Sequence, residues 1–429
     1  MDFARSSHPG VQAQLDRLGL LSVPDGRFGL ETITTLLDRL GNPHRQLPPT
    51  FHVAGTNGKG SVCAFLRAML EADGKRVHVT TSPHLVRYNE RILLAGRLIE
   101  DEPLAALLEE VLDASEELAP SFFEVTIAAA FLAFSRTPAD ACVVEVGLGG
   151  RFDATNVLQS DVLAACGIAA LGIDHERFLL APEDGVPKDP MARIAFEKAG
   201  IAKKGIPLVT GFQQAGPALE IERAILRSEA TLKMRGREWH ASMDDAGLHY
   251  ADFGGALDLP QPSMPGGHQI DNAALAVAML RHQEALSVSP EAMAQGLRAA
   301  HWPARMQRLK PGPLTGDRAV WLDGGHNPSA GATIAAFFEG PVHLVLGMLD
   351  NKDPQALIAP LGDRIRSLTV VPVPGHDSHP VEAFGPDAKA VDTIEEALLG
   401  IPADDYPILI AGSLYLAGEV LRLNDGIPN

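Results

Sequence analysis

The sequence predicts an α/β protein built on mostly parallel sheets covered by helices, with a large N-terminal domain and a smaller C-terminal one. Three observations carry this. Short apolar runs (Arg76–Thr80, Ala141–Val146 and Val162–Ile168 among them) alternate with stretches of helical period. A second series of the same kind begins beyond residue 303. Such alternation means parallel strands joined by crossover helices. Glycine turns and polar residues also gather just after the strands, where open parallel sheets leave a crevice for ligands.

The elements follow in order. Residues 1–47 read as helical, with Leu15, Leu18, Leu36, Leu37 and Leu40 at helical spacing, until Pro43, Pro48 and Pro49 end the segment. An apolar run at Phe51–Ala54 then turns through glycines into a helix with Val62, Phe65, Leu66, Met69 and Leu70 on one face. Residues 101–118 form a helix rich in Leu and Glu, and 122–135 an apolar helix. Residues 231–260 change character, and their short alternating pieces around Trp239 and Tyr250 predict a small antiparallel patch. Asn272–Leu280 is helical, and 286–304 holds a helix that ends at a hinge, His301-Trp302-Pro303. Strands are then expected at Ala319–Leu322, Val342–Leu346, Leu368–Val373 and Ile408–Ile410. The domains divide as 1–298 and 299–429.

Bulk numbers bound the function. At 429 residues the chain suits two or three domains of about 100–200 residues each. Its net charge of −18, with no long basic run, argues against nucleic acid, whose backbone requires clustered Lys and Arg. A polyanionic substrate must therefore be met by local cations. The three cysteines, Cys63, Cys142 and Cys166, have neither metal-ligand spacing nor a disulfide pattern. No signal peptide and no apolar run near the roughly 20 residues of a membrane span is visible. The expectation is a cytoplasmic protein with buried, reduced thiols.

The most informative stretch is Gly55-Thr56-Asn57-Gly58-Lys59-Gly60-Ser61, between a strand and a helix. Glycines let backbone N–H groups close around phosphate oxygens, and a helix N-terminus adds favourable partial charge. Lys59 would reach the terminal phosphates and Ser61 a magnesium ion. The pattern departs from the usual one, because Gly60 separates Lys59 from Ser61. A plain glycine turn with a solvated Lys59 is the competing reading of this stretch by itself.

Other candidates follow strands. Glu145 ends an apolar strand and leads into Gly147-Leu148-Gly149-Gly150-Arg151-Phe152-Asp153-Ala154-Thr155-Asn156. It reads either as a magnesium ligand beside Ser61 or as a structural partner of Arg151. In Asp174-His175 the histidine is as readily structural as a ligand. Lys198 sits in a mostly apolar helix, Arg193–Ile201, where desolvation would favour its neutral amine, the form that captures carbon dioxide. A salt bridge or a snorkelled lysine is the alternative. In the second half Pro303–Leu309, Trp321–Pro328 and Gly347–Asp353 each place polar turns after strands or at the hinge, which points to a cleft.

Together these segments resemble bacterial folylpolyglutamate synthase, often also a dihydrofolate synthase, of the Mur ligase superfamily. The matches are ordered along nearly the whole chain: 55–61, Thr81–Leu85 with Asn89–Ile92, Phe122–Glu124, Glu145–Asn156, Asp174-His175, Glu197–Ile201, Gly267–Gln269 with Asn272–Ala276, Arg305-Met306, Asp323–Asn327, Asp350–Asp353 and Gly412–Tyr415. The resemblance implies a P-loop N-terminal domain that binds ATP and folate and a Rossmann-like C-terminal glutamate-ligase domain. It implies that Gly55, Thr56, Asn57, Gly58, Lys59, Gly60 and Ser61 hold the ATP phosphates, with Asn272, Arg305, Asp323 and His326 completing the nucleotide site. Ser61 and Glu145 would ligate one Mg2+ and His175 a second, assisted by a carbamylated Lys198; Mn2+ suits the same donors. Lys59, His175 and Lys198 would be the catalytic set. Ser82, Pro83, His84, Arg91, Phe123 and Glu124 would line the folate pocket.

The implied reaction is ATP-dependent ligation of L-glutamate to dihydropteroate and to reduced folates through an acyl phosphate, by a monomer with no nucleic-acid or membrane partner. Closure about residue 300 would exclude water. No residue stands out as the general base for the glutamate amine. A monofunctional folylpolyglutamate synthase, a Mur-type cell-wall ligase and a non-catalytic nucleotide binder are the competing functions. One departure stands out: Leu179–Met191 is longer than the family's link and carries Ala181–Pro190, with turn signals that predict an outward loop leaving His175 and Lys198 in place.

Overall fold

A computed structural model describes residues 5–21 and 29–427, so the expectations for 1–4 and 22–28 lie outside the described residues. The chain forms two compact units: Met1–Ser263 with Gln269–His301, and Met264–His268 with Trp302–Asn429.

The first unit is organised by an eight-stranded sheet. Its strands are β1 (Thr50–Ala54), β2 (Val77–Thr80), β3 (Ile92–Leu94), β4 (Arg97–Leu98), β5 (Ala141–Glu145), β6 (Leu163–Ile168), β7 (Pro207–Thr210) and β8 (Thr231–Met234). They lie in the order β4-β3-β2-β5-β1-β6-β7-β8. Every pairing is parallel except β2 with β3 and β3 with β4. β1, β5 and β6 are buried at every position, as parallel strands covered on both faces require. Register sets Val53 beside Glu145 on one flank and beside Gly167 on the other. The carboxyl ends of the three central strands therefore open together.

Helices cover the sheet. Lys59–Ala72 buries Val62, Phe65, Leu66, Met69 and Leu70 and packs on Pro290–Ala299. The two approach so closely that a Cβ at Gly296 would lie 2.4 Å from the Met69 Cα. Phe122–Arg136 starts with a capping box: the Ser121 hydroxyl accepts from the Glu124 N–H while the Glu124 carboxylate accepts from Ser121 N. The predicted N-terminal helical segment is two short helices, Pro9–Gly19 and Glu31–Arg39, and a 3-10 turn at Pro43–Arg45.

Residues 231–260 differ from expectation in one respect. β9 (Trp239–Asp244), β10 (Gly247–Asp252) and β11 (Gly255–Leu259) form the antiparallel patch, with Trp239 stacked on Tyr250. β8 instead joins the large sheet, parallel to β7. The helix Ala215–Ser228 links the two strands, so β8 closes one more crossover unit. A four-residue strand carries no signal of its own for that choice.

The second unit has its own sheet of β12 (Gln307–Arg308), β13 (Val320–Leu322), β14 (Val342–Leu346), β15 (Ile365–Val370), β16 (Ala388–Ala390) and β17 (Ile408–Ala411), in the order β12-β13-β17-β14-β15-β16. Only β12 is antiparallel to its neighbour. Leu344, Leu346, Leu409, Phe338 and Met306 form its core. The fold is thus α/β with a parallel-rich large sheet and a smaller mixed one, as the alternation of strands and helices predicts.

Candidate active site

The site begins at the carboxyl ends of β1, β5 and β6. β1 runs into the glycine turn 55–58 and straight into the helix that starts at Lys59. Gly58, the N-cap residue, has φ 85° and gives no side-chain cap. The leading N–H groups of a helix have no partners within it, so this end presents donors outward. The turn is pinned from β6's side: Thr56 N and Asn57 N donate to Ala170 O, and the Thr56 hydroxyl donates to Gly172 O at 2.8 Å. Lys59 Nζ folds back onto Gly55 O and Thr56 O at 3.2 and 3.4 Å. Bonds to backbone carbonyls only leave that amine able to turn to a better acceptor.

Ser61 and Glu145 lie on adjoining elements, and both are almost fully buried. The Glu145 carboxylate accepts from Ser82 N at 3.1 Å. Arg151 pairs with Glu183 and Glu197. The Ser61 hydroxyl accepts from Gln269 Nε2 at 3.2 Å, and Gln269 Oε1 accepts from Asn272 Nδ2 at 3.1 Å. Asn272 also sits against the turn, since a Cβ at Gly58 would lie 2.3 Å from its Oδ1.

Thr56, Lys59, Gly147, Asp174, His175 and Lys198 line one pocket of about 20 Å³. That volume holds one water or ion. Lys198 is 4 % exposed, and burial, reinforced by the charge of Lys59, pushes its amine down to about 7. Asp174, Asp153 and Glu197 act in the opposite sense. His175 has φ 52°, and its N–H donates to the Asp174 carboxylate at 2.8 Å. Residues 181–185 are exposed while His175 and Lys198 share the pocket, so the loop does bulge outward.

The glycine turn after β5 packs on the helix Pro190–Ala199. Arg151 N donates to Glu197 O at 2.8 Å, and a Cβ at Gly150 would lie 2.8 Å from that same oxygen. From the other side, a Cβ at Gly200 would lie 2.6 Å from the Arg151 Cα. Asp153, fully buried, accepts from Leu148 N at 2.7 Å and holds the turn over the pocket. Its carboxyl is raised above the usual range by burial.

The folate-side candidates fall in two groups. Arg91 Nε donates to His84 Nδ1 at 2.8 Å, and its guanidinium lies over Tyr88 and Phe122. Phe123 packs on the turn after β5, its ring 2.4 Å from where a Gly147 Cβ would stand. Ser82 and Pro83 follow β2 and join through a cis peptide. Glu124 spends its Oε2 on the cap at Ser121. In the second unit, Asp323 at the end of β13 accepts from Met306 N and Gly325 N, both at 2.7 Å, and His326 Nδ1 bonds Gly324 O at 3.0 Å. Arg305, half-buried, lies between Ala304 and Met306, both with positive φ.

No family model matches the chain. The folylpolyglutamate synthase of Lacticaseibacillus casei is 33% identical over 415 residues, covering 90% of this chain and 92% of the relative. The dihydrofolate synthase/folylpolyglutamate synthase of Escherichia coli is 32% identical over 412 residues, covering 93% and 92%. The chain belongs to the folylpolyglutamate synthase/dihydrofolate synthase family. A crystal structure of a bifunctional member with Mn, AMPPNP and L-glutamate bound superposes with a TM-score of 0.83 at 30% identity, covering 98% of this chain and 99% of that one.

Within that family the donors here suit a divalent ion that shares its shell with substrate. Among the described residues, no group of three or more His, Cys, Asp or Glu converges to cage a metal. Magnesium takes one or two protein oxygens and fills its shell with water and phosphate. A buried hydroxyl in the first turn of the helix after β1 and a buried carboxylate at the end of β5 are that kind of partial set. Burial pushes the Cys166 thiol up to about 12, and all three cysteines are buried, so they take no part. Among the described residues, no helix is long and apolar enough to cross a membrane.

Gln269, Arg151, Asp153 and Glu197 all fall within the ordered sequence motifs, but their partners are not legible there. That Gln269 meets Ser61, and that Arg151, Glu183, Arg193 and Glu197 form one network, is set by the fold.

Proposed function

We propose that this chain ligates L-glutamate to dihydropteroate and to reduced folates, using ATP and an acyl-phosphate intermediate. The observation that carries it is the pocket in which Lys59, His175 and Lys198 converge beside an uncapped helix N-terminus. Family membership supports the same chemistry. The Escherichia coli relative is named for both activities and the Lacticaseibacillus casei relative for one.

A carboxylate is a poor acyl donor because its leaving group is oxide. In the first step the folate carboxylate oxygen attacks the γ-phosphorus and ADP departs. In the second, the neutral glutamate amine attacks the acyl carbon, phosphate departs and the amine loses its proton. The N–H groups at residues 58–61 and the Lys59 amine are proposed to bind phosphate oxygens and to offset charge that grows in transfer. Ser61, oriented by Gln269, and Glu145 are the proposed ligands of one Mg2+, and His175 of a second; Mn2+ fits the same donors. Such an ion supplies charge neutralisation at the phosphates.

Lys198 is proposed to carry a carbamate: its neutral Nζ adds to the carbon of carbon dioxide and sheds a proton, which turns a buried neutral amine into an anionic oxygen donor. Ser82, Pro83, His84, Arg91 and Phe123 are the proposed pterin-side residues, with Glu124 shaping that side through its cap. Asn272 is proposed to contact the nucleotide, and Arg305, Asp323 and His326 are the second domain's candidates. In this reading domain 1–298 binds ATP and folate and domain 299–429 serves glutamate ligation, in a cytoplasmic monomer.

The test is ADP release by the purified protein with ATP, Mg2+ and glutamate, adding dihydropteroate or tetrahydrofolate separately. Turnover with both is expected. Turnover with tetrahydrofolate alone would reduce the protein to a folylpolyglutamate synthase, and silence with both would refute the proposal.

A further inference from the structure

The segment 180–189 is exposed along most of its length, and Glu183 within it ties it to the site. The Glu183 carboxylate accepts two bonds from Arg151, Nη1 to Oε1 at 2.9 Å and Nη2 to Oε2 at 2.6 Å. It accepts a third from Arg193 Nη2 at 2.7 Å. Both guanidiniums also share Glu197 Oε1, at 2.9 Å from Arg151 and 3.0 Å from Arg193. Arg193 Nε meanwhile donates to Leu179 O at 3.1 Å. Two cations and two anions form a closed square.

The square and its bond to Leu179 touch three walls of the active-site pocket. Arg151 ends the glycine turn that supplies Gly147, Leu148 and Gly149. Leu179, itself a lining residue, closes the short helix that begins just after His175. Glu197 precedes Lys198 on the third wall. The helix bearing Lys198 starts from the same segment: Asp189 caps it through Ala192 N at 2.9 Å, and Pro190 is its first residue.

The geometry points to Glu183 as a positioning residue that locks the three walls, and with them Lys198 and His175, in register. Isolated surface ion pairs contribute little, but a bidentate network with two partners almost fully buried is the exception. Without the Glu183 charge, Arg151 and Arg193 would share one carboxylate. Arg151 would keep its Nε and Nη2 bonds to Glu197, at 3.2 and 2.9 Å, but the turn would lose its two bonds to the 180–189 segment. This inference rests on the ligase reading for its catalytic consequence and on the structure alone for its mechanical one.

The experiment compares wild type, Glu183→Gln and the control Asp184→Asn, an exposed acid on the same segment. ADP release, thermal midpoint and amide hydrogen exchange by mass spectrometry are measured on each. Glu183→Gln is expected to lower kcat by about 10–100-fold with KM for ATP changed by less than about twofold, as for groups that orient metal-site residues. Exchange should quicken at 147–151 and 196–200 while the midpoint moves by only about 3 °C. Asp184→Asn should match wild type. Unchanged kcat and exchange in Glu183→Gln overturn the inference, as does exchange that quickens uniformly with a collapsed midpoint. If wild type itself releases no ADP, the ligase reading fails, and the exchange pattern alone decides the role of Glu183.

Discussion

Gln269 donates its side-chain amide to the Ser61 hydroxyl at 3.2 Å across 208 residues of sequence, and both side chains are buried. The bond occupies one lone pair of the serine hydroxyl and so limits its orientation. A hydroxyl can rotate freely unless a donor holds it.

Replacing Gln269 by Leu removes that donor at nearly constant volume. It also leaves Asn272 Nδ2 without its acceptor. The expected outcome is a loss of about 10–100-fold in apparent magnesium affinity, read by titrating ADP release against Mg2+. An unchanged titration curve would show that Ser61 needs no orienting partner.

Lys59→Ala removes an amine bonded only to two turn carbonyls. The fold should survive, with a thermal midpoint within about 3 °C of wild type. ADP release should fall by roughly 10²–10³-fold, the cost of losing one preorganised donor. Activity near the wild-type level would remove Lys59 from the catalytic set.

Gly150 and Gly200 face each other's elements at distances no Cβ tolerates, 2.8 Å to Glu197 O and 2.6 Å to the Arg151 Cα. Alanine at either position must push the turn off the helix. Each should cost about 1–3 kcal/mol or more by urea denaturation. Gly216→Ala, in a helix with open space at that position, is the control and should be neutral to stabilising by up to about 1 kcal/mol.

The buried Lys198 gives a pH signature with a definite sign. Its amine sits at about 7 when folded and near 10.5 when unfolded. Between those values the unfolded chain binds the extra proton, so this group makes stability rise with pH from about 7 to 10.5 and contributes a constant penalty below 7. Lys198→Met should flatten that rise in a denaturation series run without carbon dioxide. An identical slope in wild type and variant would mean that Lys198 is not buried as a cation.

The Glu183 carboxylate titrates in the opposite direction. Its hydrogen bonds to Arg151, then to Arg193, hold it at about 2 against an ordinary value of 4.5. The stability it lends is present above 4.5 and lost as pH falls toward 2. The square should therefore open in acid, seen as accelerated exchange at 147–151 below about pH 4 in wild type but already at neutral pH in Glu183→Gln.

Features that live within a few residues of one another are legible in the chain alone. The strand, glycine turn and helix at 50–72 are set by apolar runs, by Gly58 with its positive φ, and by helical period. The burial of Lys198 is legible in the apolar neighbours of its own helix. The ordered motifs point to the family for the same reason, because each is a short local signature. Pairings between distant segments come only with packing: β8 extends the parallel sheet, Gln269 reaches Ser61, and Glu183 clasps Arg151, 32 residues earlier. Period and turn chemistry act over one element, whereas the partner of a buried polar group is whichever group the packed topology brings within 3 Å or so. A loop that reads as surface addition in sequence can in this way hold the walls of a site.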